Sequence, residues 1–301
     1  MLLIITNSMD GTTDLLLPLI HEKEKAVFRY NLDLWRRYSV EISPSQFSIT
    51  DPTGRSICEH QCSSLYMRKA YFLDESRPRP VGGDTETWCQ HQIRSLVDGI
   101  YSVCEQKKIV RLVERNAGRR LPKVTQMRVA SKYFHVPEWK VTQSPSTCSF
   151  DGPAICKPLN NAPIGDFRYL YATKVNLRDL DDGYPWLIQS YIEASYDCTV
   201  VYVSGKCFAF SRQKADGEPI DPKEASFDIK RAWDRTDIPG HLERRIQDYM
   251  KEVRLCFGRI DFVVANDHFY FLEVNPNGQY AWLDPNNKSG LLSRIVNSIV
   301  I

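Results

Sequence analysis

The chain predicts a mixed α/β fold, and two observations carry that expectation. It opens strand–helix–strand, with apolar residues at 2–6, a helical segment at 15–21 and a second apolar run at 26–30. Strands connected in this way through a helix suggest a parallel unit. From Trp139 onward the pattern turns to short strand-like runs, at 139–142, 153–157, 169–175, 187–192, 198–204 and 206–212, and later at 259–265 and 269–275. The 301 residues are 43% hydrophobic and 25% charged, which gives material for a large core and a length that admits two or three subdomains.

Between the first strand and helix, Asn7 to Thr13 reads as a polar turn with Asp10 or Thr12 as the helix cap. Residues 39–67 alternate enough for several short strands, ending at Ser64-Leu-Tyr-Met-Arg68. The stretch 74–87 holds two prolines and two glycines and reads as a loop. Ile93, Leu96, Val97, Ile100, Val103 and Cys104 give 88–106 a helical period, and a further helix is expected over 122–134 with Pro122 in its first turn. Ser204-Gly205 marks a tight hairpin. The polar segment 215–240 has three prolines and no period, and a loop of that length is usually functional. Helices near 242–256 and 289–300 complete the chain.

Charge and composition exclude several classes. With 39 basic and 37 acidic residues, the net charge of +2 exerts no global pull on nucleic acid or membrane. No run approaches the roughly 20 apolar residues that span a bilayer. The first residues lack a preceding basic region and read as a buried strand, not a signal peptide. Nine cysteines, odd in number and scattered through apolar runs, suit reduced thiols in a cytoplasm. Cys58 and Cys62 have no second pair to complete a zinc site.

Three segments carry candidate chemistry. In Gly258-Arg-Ile-Asp261-Phe-Val-Val-Ala-Asn-Asp-His-Phe-Tyr-Phe-Leu-Glu273-Val-Asn275, two apolar strands form a hairpin, and Glu273 and Asn275 share one face. Leu272 and Val274 then point the other way. A turn of three residues, Asn266-Asp267-His268, sets Asp261 opposite Glu273. Two carboxylates and an amide on one face are costly without a partner, and magnesium with nucleotide phosphates fits them. Lys157, ending the apolar run Pro153-Ala-Ile-Cys-Lys157 before Pro158, can place a point charge in a cleft. The apolar strand Trp186-Leu-Ile-Gln189-Ser-Tyr191-Ile192 can offer backbone groups to an adenine edge. Taken singly, each also reads as ordinary structure: a solvent-facing hairpin surface, a strand-end lysine and a buried strand.

In this order and spacing, the three segments resemble the ATP-grasp superfamily. The likeness extends to the maturases of graspetides (the microviridin-type ribosomal peptides) and to ribosomal-protein glutamate ligases. It rests on Phe271-Leu-Glu-Val-Asn-Pro-Asn-Gly-Gln-Tyr-Ala-Trp282, on Ser64-Leu-Tyr-Met-Arg68-Lys69, on Leu121-Pro-Lys123-Val-Thr-Gln-Met-Arg-Val-Ala and on Phe227-Asp228-Ile-Lys230-Arg231. The resemblance implies an N-terminal α/β domain over 1–118, a central lobe over 119–190 and a C-terminal lobe with the metal site over 191–301, with nucleotide between the lobes. It implies Lys123 and Lys157 on the α- and β-phosphates, with Gln189, Tyr191 and Ile192 at adenine and Asp197 at ribose. Arg212 and Arg231 would face the γ-phosphate and acyl phosphate. Asp261, Glu273 and Asn275 would hold one or two Mg2+ ions, or Mn2+, and Arg68 and Asn277 would meet substrate. Three features depart from the pattern: Ser190 stands where glutamate is common, Thr199 replaces the arginine of an Asp-x-Arg element, and Asn160-Asn-Ala-Pro-Ile-Gly165 is poor in glycine.

The activity implied is ATP-dependent joining of a carboxylate to an amine or hydroxyl through an acyl phosphate, on a ribosomal precursor peptide. Two other readings stand beside it: a ligase for a free amino acid or small acid, and a non-catalytic ATP-binding module. The cysteine pattern gives a cytoplasmic location, and the resemblance to a family whose members are often dimers or tetramers makes a homo-oligomer a possible state.

Overall fold

Five consecutive apolar or β-branched residues cannot remain in water, and Leu2–Thr6 forms a wholly buried strand, β1. The computed structural model describes residues 1–70, 83–159, 171–214 and 233–300. The chain divides into two units: Met1–Ala117 with Leu255–Phe257 and Pro276–Ile301, and Gly118–Arg254 with Gly258–Asn275.

In the first unit, β1 leads into α1 (Gly11–His21) and returns as β2 (Val27–Asn31), which pairs in parallel with Leu3 opposite Phe28. Strands β3 (Ser39–Ile42), β4 (Phe47–Thr50) and β5 (Ser56–Cys58) form a separate antiparallel sheet. Strand β6 (Ser64–Met67) then joins the other edge of β1, also in parallel. The long helix α2 (Gly83–Gln106) buries Val97, Ile100 and Cys104 in a cluster with Leu3, Ile5, Phe28, Leu65, Phe47 and Ile49.

Two local expectations change. Helix α2 begins at Gly83, so the end of the segment expected as loop is helical. A glycine costs about 1 kcal/mol in a helix but does not bar one. In the first turns of α2, Glu86 pairs with Arg36 at 2.6 and 3.1 Å. Helix α1 starts at Gly11 with Asp10 before it, but the Asp10 carboxylate caps no backbone N–H. It accepts the hydroxyls of Thr6 at 2.7 Å and Thr13 at 2.6 Å. Its other oxygen lies 3.4 Å from Arg68 Nε. Arg68 is 0% exposed; it also donates to Thr12 Oγ1 and to the Gly278 carbonyl, each at 3.1 Å, and lies over the Tyr280 ring. A buried guanidinium so engaged ties together the interior of the first unit and offers no surface to a peptide.

The second unit carries, after the short α3 (Ala117–Arg120), the helix α4 (Lys123–Ala130), with Pro122 as its N-cap. Strands β7 (Trp139–Thr142), β8 (Ala154–Lys157), β9 (Thr173–Val175) and β10 (Trp186–Ser190) make an antiparallel sheet in the order β7-β10-β8-β9. A five-stranded sheet follows from β11 (Tyr196–Val203), β12 (Lys206–Gln213), β13 (Asp234–Thr236), β14 (Phe257–Ala265) and β15 (His268–Asn275), in the order β13-β12-β11-β14-β15. Ser204 and Gly205, at φ +44° and +90°, make the hairpin between β11 and β12. β13 lies in the segment expected as loop, added as an edge strand on β12. Helix α5 (Gly240–Glu252) ends before the expected Cys256, where Arg254 turns left-handed at φ +57°. The last helix, α6 (Leu291–Ile299), belongs to the first unit. On one side of the five-stranded sheet, Phe134 stacks on Phe271 at 5.7 Å and meets Tyr249 and Phe262 edge-on. That aromatic packing holds one face of the sheet; the other carries Thr199, Arg259 and Asp261 together with the buried Phe208 and Phe210.

Candidate functional site

The polar face is set by the β14–β15 hairpin. Its turn contains two residues, not three: Asn266 and Asp267 sit at φ +48° and +61°, and Ala265 pairs with His268. Continued without interruption, that register would put Asp261 opposite Leu272. A β-bulge between Asp261 and Phe262 on one side and Glu273 and Phe271 on the other takes up one residue, and Asp261 pairs with Glu273. The bulge also corrects the expected facing of Leu272. Phe271 and Val274 are the buried residues, and Leu272 is only half-buried.

The three oxygen-bearing side chains converge. Asn275 Nδ2 donates to Glu273 Oε1 at 3.0 Å and to Asp261 Oδ2 at 3.3 Å. Asp261 also accepts Thr199 Oγ1 at 2.6 Å and a forked pair from Arg259, Nε at 3.1 Å and Nη2 at 2.9 Å. Burial opposes the charge on Arg259, but Asp261 and then Glu273 outweigh it and hold its pKa above the ordinary value. Among the described residues no cluster of three His, Cys, Asp or Glu could hold a metal. Two carboxylates completed by an amide are nevertheless an all-oxygen set suited to a hard cation. A rotation of the Asn275 amide exchanges its nitrogen for its oxygen at the same point. The residues therefore fit a magnesium ion.

Both lysines reach this network. Lys123, in the first turn of α4, lies 3.9 Å from Glu273 Oε2 and donates to the Pro158 carbonyl at 2.9 Å. Pro158 directly follows Lys157, whose ammonium donates to Gln189 Oε1 at 2.7 Å. Gln189, 1% exposed on β10, thus orients Lys157 from the neighbouring strand. Helix α4 is fixed to β15 by Gln126, whose Oε1 accepts the Val274 N–H at 2.9 Å and whose Nε2 donates to the Leu121 carbonyl at 3.0 Å.

On β11, the Asp197 carboxylate takes Arg212 Nη2 at 2.5 Å and lies 3.4 Å from Lys214 Nζ. Arg212 also lies 5.5 Å from the Trp233 ring. Two cations on Asp197 leave it better suited to orient Arg212 than to bind a ribose hydroxyl. The Tyr191 N–H, expected at adenine, is donated to the Pro153 carbonyl at 2.8 Å; Lys174 stands over the Tyr191 ring at 4.0 Å. Arg231, with Asp228 and the segment 160–165, lies outside the described residues. Arg68 and Asn277 belong to the first unit, where Asn277 Oδ1 is buried without a hydrogen-bond partner.

Sequence reasoning missed Arg259, the Thr199 hydroxyl, Lys214 and Gln126. Arg259 carried a usable signal, since it lies two residues before Asp261 and so on the same strand face. Lys214 meets Asp197 at the end of the β11–β12 hairpin, and the Thr199 hydroxyl and Gln126 depend on contacts between distant segments.

The chain has the ATP-grasp fold: solved structures of that fold match it over nearly its whole length. One is a RiPP-associated ATP-grasp ligase from Chryseobacterium gregarium in complex with ADP and a leader and core peptide. It has a TM-score of 0.81 and 21% identity over 99% of this chain and 94% of that one. Another is the macrocyclase MdnC from Microcystis aeruginosa MRC bound with precursor peptide MdnA, at TM-score 0.80 and 20% identity over 99% of each chain. A D-alanine–D-alanine ligase from Bacillus anthracis complexed with ATP is more distant, at TM-score 0.54, 12% identity, and 99% and 96% coverage. No protein-family model matches the chain, and no curated protein matches it.

Proposed function

We propose that this chain is an ATP-dependent ligase that modifies or macrocyclises a ribosomal precursor peptide, forming amide or ester bonds through an acyl phosphate. The observation that carries the reading is the convergence of Lys123 with Glu273, Asn275 and Asp261, while Lys157, held by Gln189, precedes the Pro158 whose carbonyl Lys123 bonds. It joins two phosphate-binding point charges to an all-oxygen cation site within one unit. Similarity of the whole chain to peptide-bound ATP-grasp ligases supports the substrate class, and the lower similarity to a D-alanine–D-alanine ligase disfavours a free amino acid.

In the first step a substrate carboxylate oxygen attacks the γ-phosphorus of ATP; an acyl phosphate forms and ADP leaves. In the second, an amine or hydroxyl attacks the acyl carbon, loses its proton and expels phosphate. Such chemistry asks for positioning and charge neutralisation more than for a protein nucleophile. Lys123 and Lys157 hold the α- and β-phosphates, with Gln189 fixing the second ammonium. The Tyr191 carbonyl and the Ile192 backbone take the adenine edge, since the Tyr191 N–H is committed to Pro153. Arg212, braced by Asp197 and Trp233, and Arg231 face the γ-phosphate and acyl phosphate. Asp261, Glu273 and Asn275 hold one or two Mg2+ ions, replaceable by Mn2+; bound there, the ion neutralises phosphate charge. Asn277 is a substrate contact in this reading, and Arg68 supports the first unit's interior. Buried free thiols at Cys62, Cys104, Cys156, Cys198 and Cys207 support a reducing, cytoplasmic setting. Self-association is part of the same proposal.

The test is incubation with ATP, Mg2+ and the peptide encoded beside this chain, followed by ADP measurement and mass spectrometry. Ring closure releases ADP and lowers the peptide mass by one water per ring. Amino-acid addition raises the mass instead, and no ADP release with any acceptor would refute the ligase reading.

A further inference from the structure

The Asp261 carboxylate is saturated. Oδ1 accepts Thr199 and Arg259 Nε, and Oδ2 accepts Arg259 Nη2 and Asn275 Nδ2. A carboxylate offers about four acceptor positions, so a cation can reach this one only by displacing a partner. The most strongly held of the four is the guanidinium, a charge-assisted fork on a side chain only 16% exposed.

The charge balance points the same way. Asp261 and Glu273 are negative; Arg259 on the first and Lys123, 3.9 Å from the second, are positive. These four charges sum to zero. A divalent cation entering alone would add two positive charges to them at a half-buried site. Entering with a polyphosphate, it brings its own compensation. The register strengthens this, because Arg259 pairs across the ladder with Asn275 and so stands on the face that carries the oxygen donors. Thr199, where the resemblance leads one to expect an arginine, gives its hydroxyl to the same carboxylate. The guanidinium at this point comes instead from the adjacent strand.

We propose that Arg259 is a positioning residue that reserves Asp261 for a cation–nucleotide complex: without nucleotide it occupies the carboxylate and suppresses uptake of free divalent ion. The inference rests on the ligase reading in one respect, that Asp261 belongs to a cation site.

Manganese binding to the full chain, followed by the electron paramagnetic resonance of free Mn2+, tests it with and without a non-hydrolysable ATP analogue. The wild-type chain takes up Mn2+ weakly alone and strongly with the analogue. Arg259→Met raises the nucleotide-free affinity about tenfold or more and, with the affinity in the presence of the analogue unchanged, lowers the metal–nucleotide coupling by the same factor. Arg259→Lys keeps the charge without the fork and falls between; it is the variant that decides if Arg259→Met does not fold. Nucleotide-free affinity that is unchanged or lower in the folded variant overturns the inference, while wild-type uptake with the analogue leaves the ligase reading intact. A wild-type chain that binds no Mn2+ even with the analogue overturns both.

Discussion

Gln126→Met removes two hydrogen bonds from the joint between α4 and β15 while keeping side-chain length and nearly all the volume. Strand β15 is an edge of its sheet, and its outward N–H groups need partners. Phe271 N–H donates to the His135 carbonyl at 2.8 Å, and Val274 N–H donates to Gln126 Oε1 at 2.9 Å. Val274 is 1% exposed and Leu121, whose carbonyl accepts Gln126 Nε2, is 6% exposed, so water cannot replace either bond. Leaving a buried polar group unpaired costs about 1–3 kcal/mol, so the two together cost about 2–6 kcal/mol; with the methionine filling the space the lower part of that range, about 2–4 kcal/mol, is expected. Because the chain has two units, a single global unfolding energy is not the right readout. Amide hydrogen exchange over 269–275 is local: opening there becomes roughly thirtyfold to several-hundredfold easier in Gln126→Met. Gln126→Glu keeps an acceptor for Val274 but sets a buried carboxylate oxygen against the Leu121 carbonyl, so it does not restore wild-type exchange. Exchange within threefold of wild type in Gln126→Met would refute the claim that this amide closes the strand edge.

Other predictions follow from the same region and from the thiols. In Gly258→Ala the added Cβ lies 2.9 Å from Val274 Cγ2 and 3.1 Å from Met250 Cε, so overpacking costs about 1–3 kcal/mol and lowers the melting midpoint; an unchanged midpoint would mean those side chains yield freely. Gln189→Leu removes one hydrogen-bond partner of the Lys157 ammonium and weakens ATP binding on the order of tenfold, read as KM for ATP, whereas Lys157→Met lowers kcat on the order of a hundredfold or more. Burial pushes the Cys156 thiol up to about 11 and those of Cys198 and Cys207 up to about 12. At pH 8 iodoacetamide therefore labels the exposed Cys256 in the native chain and spares these three; prompt labelling of Cys198 would show that β11 opens.

What could be read in the sequence was what neighbouring residues decide. Strands such as 139–142 and 206–212 announce themselves through apolar runs closed by turn residues, and Ser204-Gly205 specifies its hairpin with two left-handed positions. The oxygen donors Glu273 and Asn275 share a face because they lie two apart on one strand. Partners contributed by another segment carry no such local mark. The Asp197–Arg212 pair is an exception, because the turn at Ser204-Gly205 sets the two opposite each other, but nothing near Val274 announces Gln126. That pairing exists only once α4 has packed on the sheet.

The hairpin brings Asp261 opposite Glu273 by a route other than an unbroken ladder. In an unbroken ladder only a turn of odd length pairs the two. Asn266-Asp267 instead forms a two-residue turn, which the right-handed strand twist favours and which these side chains tolerate at positive φ. An even turn and the Asp261–Glu273 pair are compatible only if the ladder absorbs one residue, and the bulge beside Leu272 does so. The bulge leaves Leu272 half-buried while Phe271 and Val274 fill the core. A shift of one residue would have sent Glu273 toward Phe134 and Phe262, where an unpaired carboxylate is costly. The aromatic core on one face and the acidic donors on the other therefore select the same register. The bulge is the backbone's answer to both.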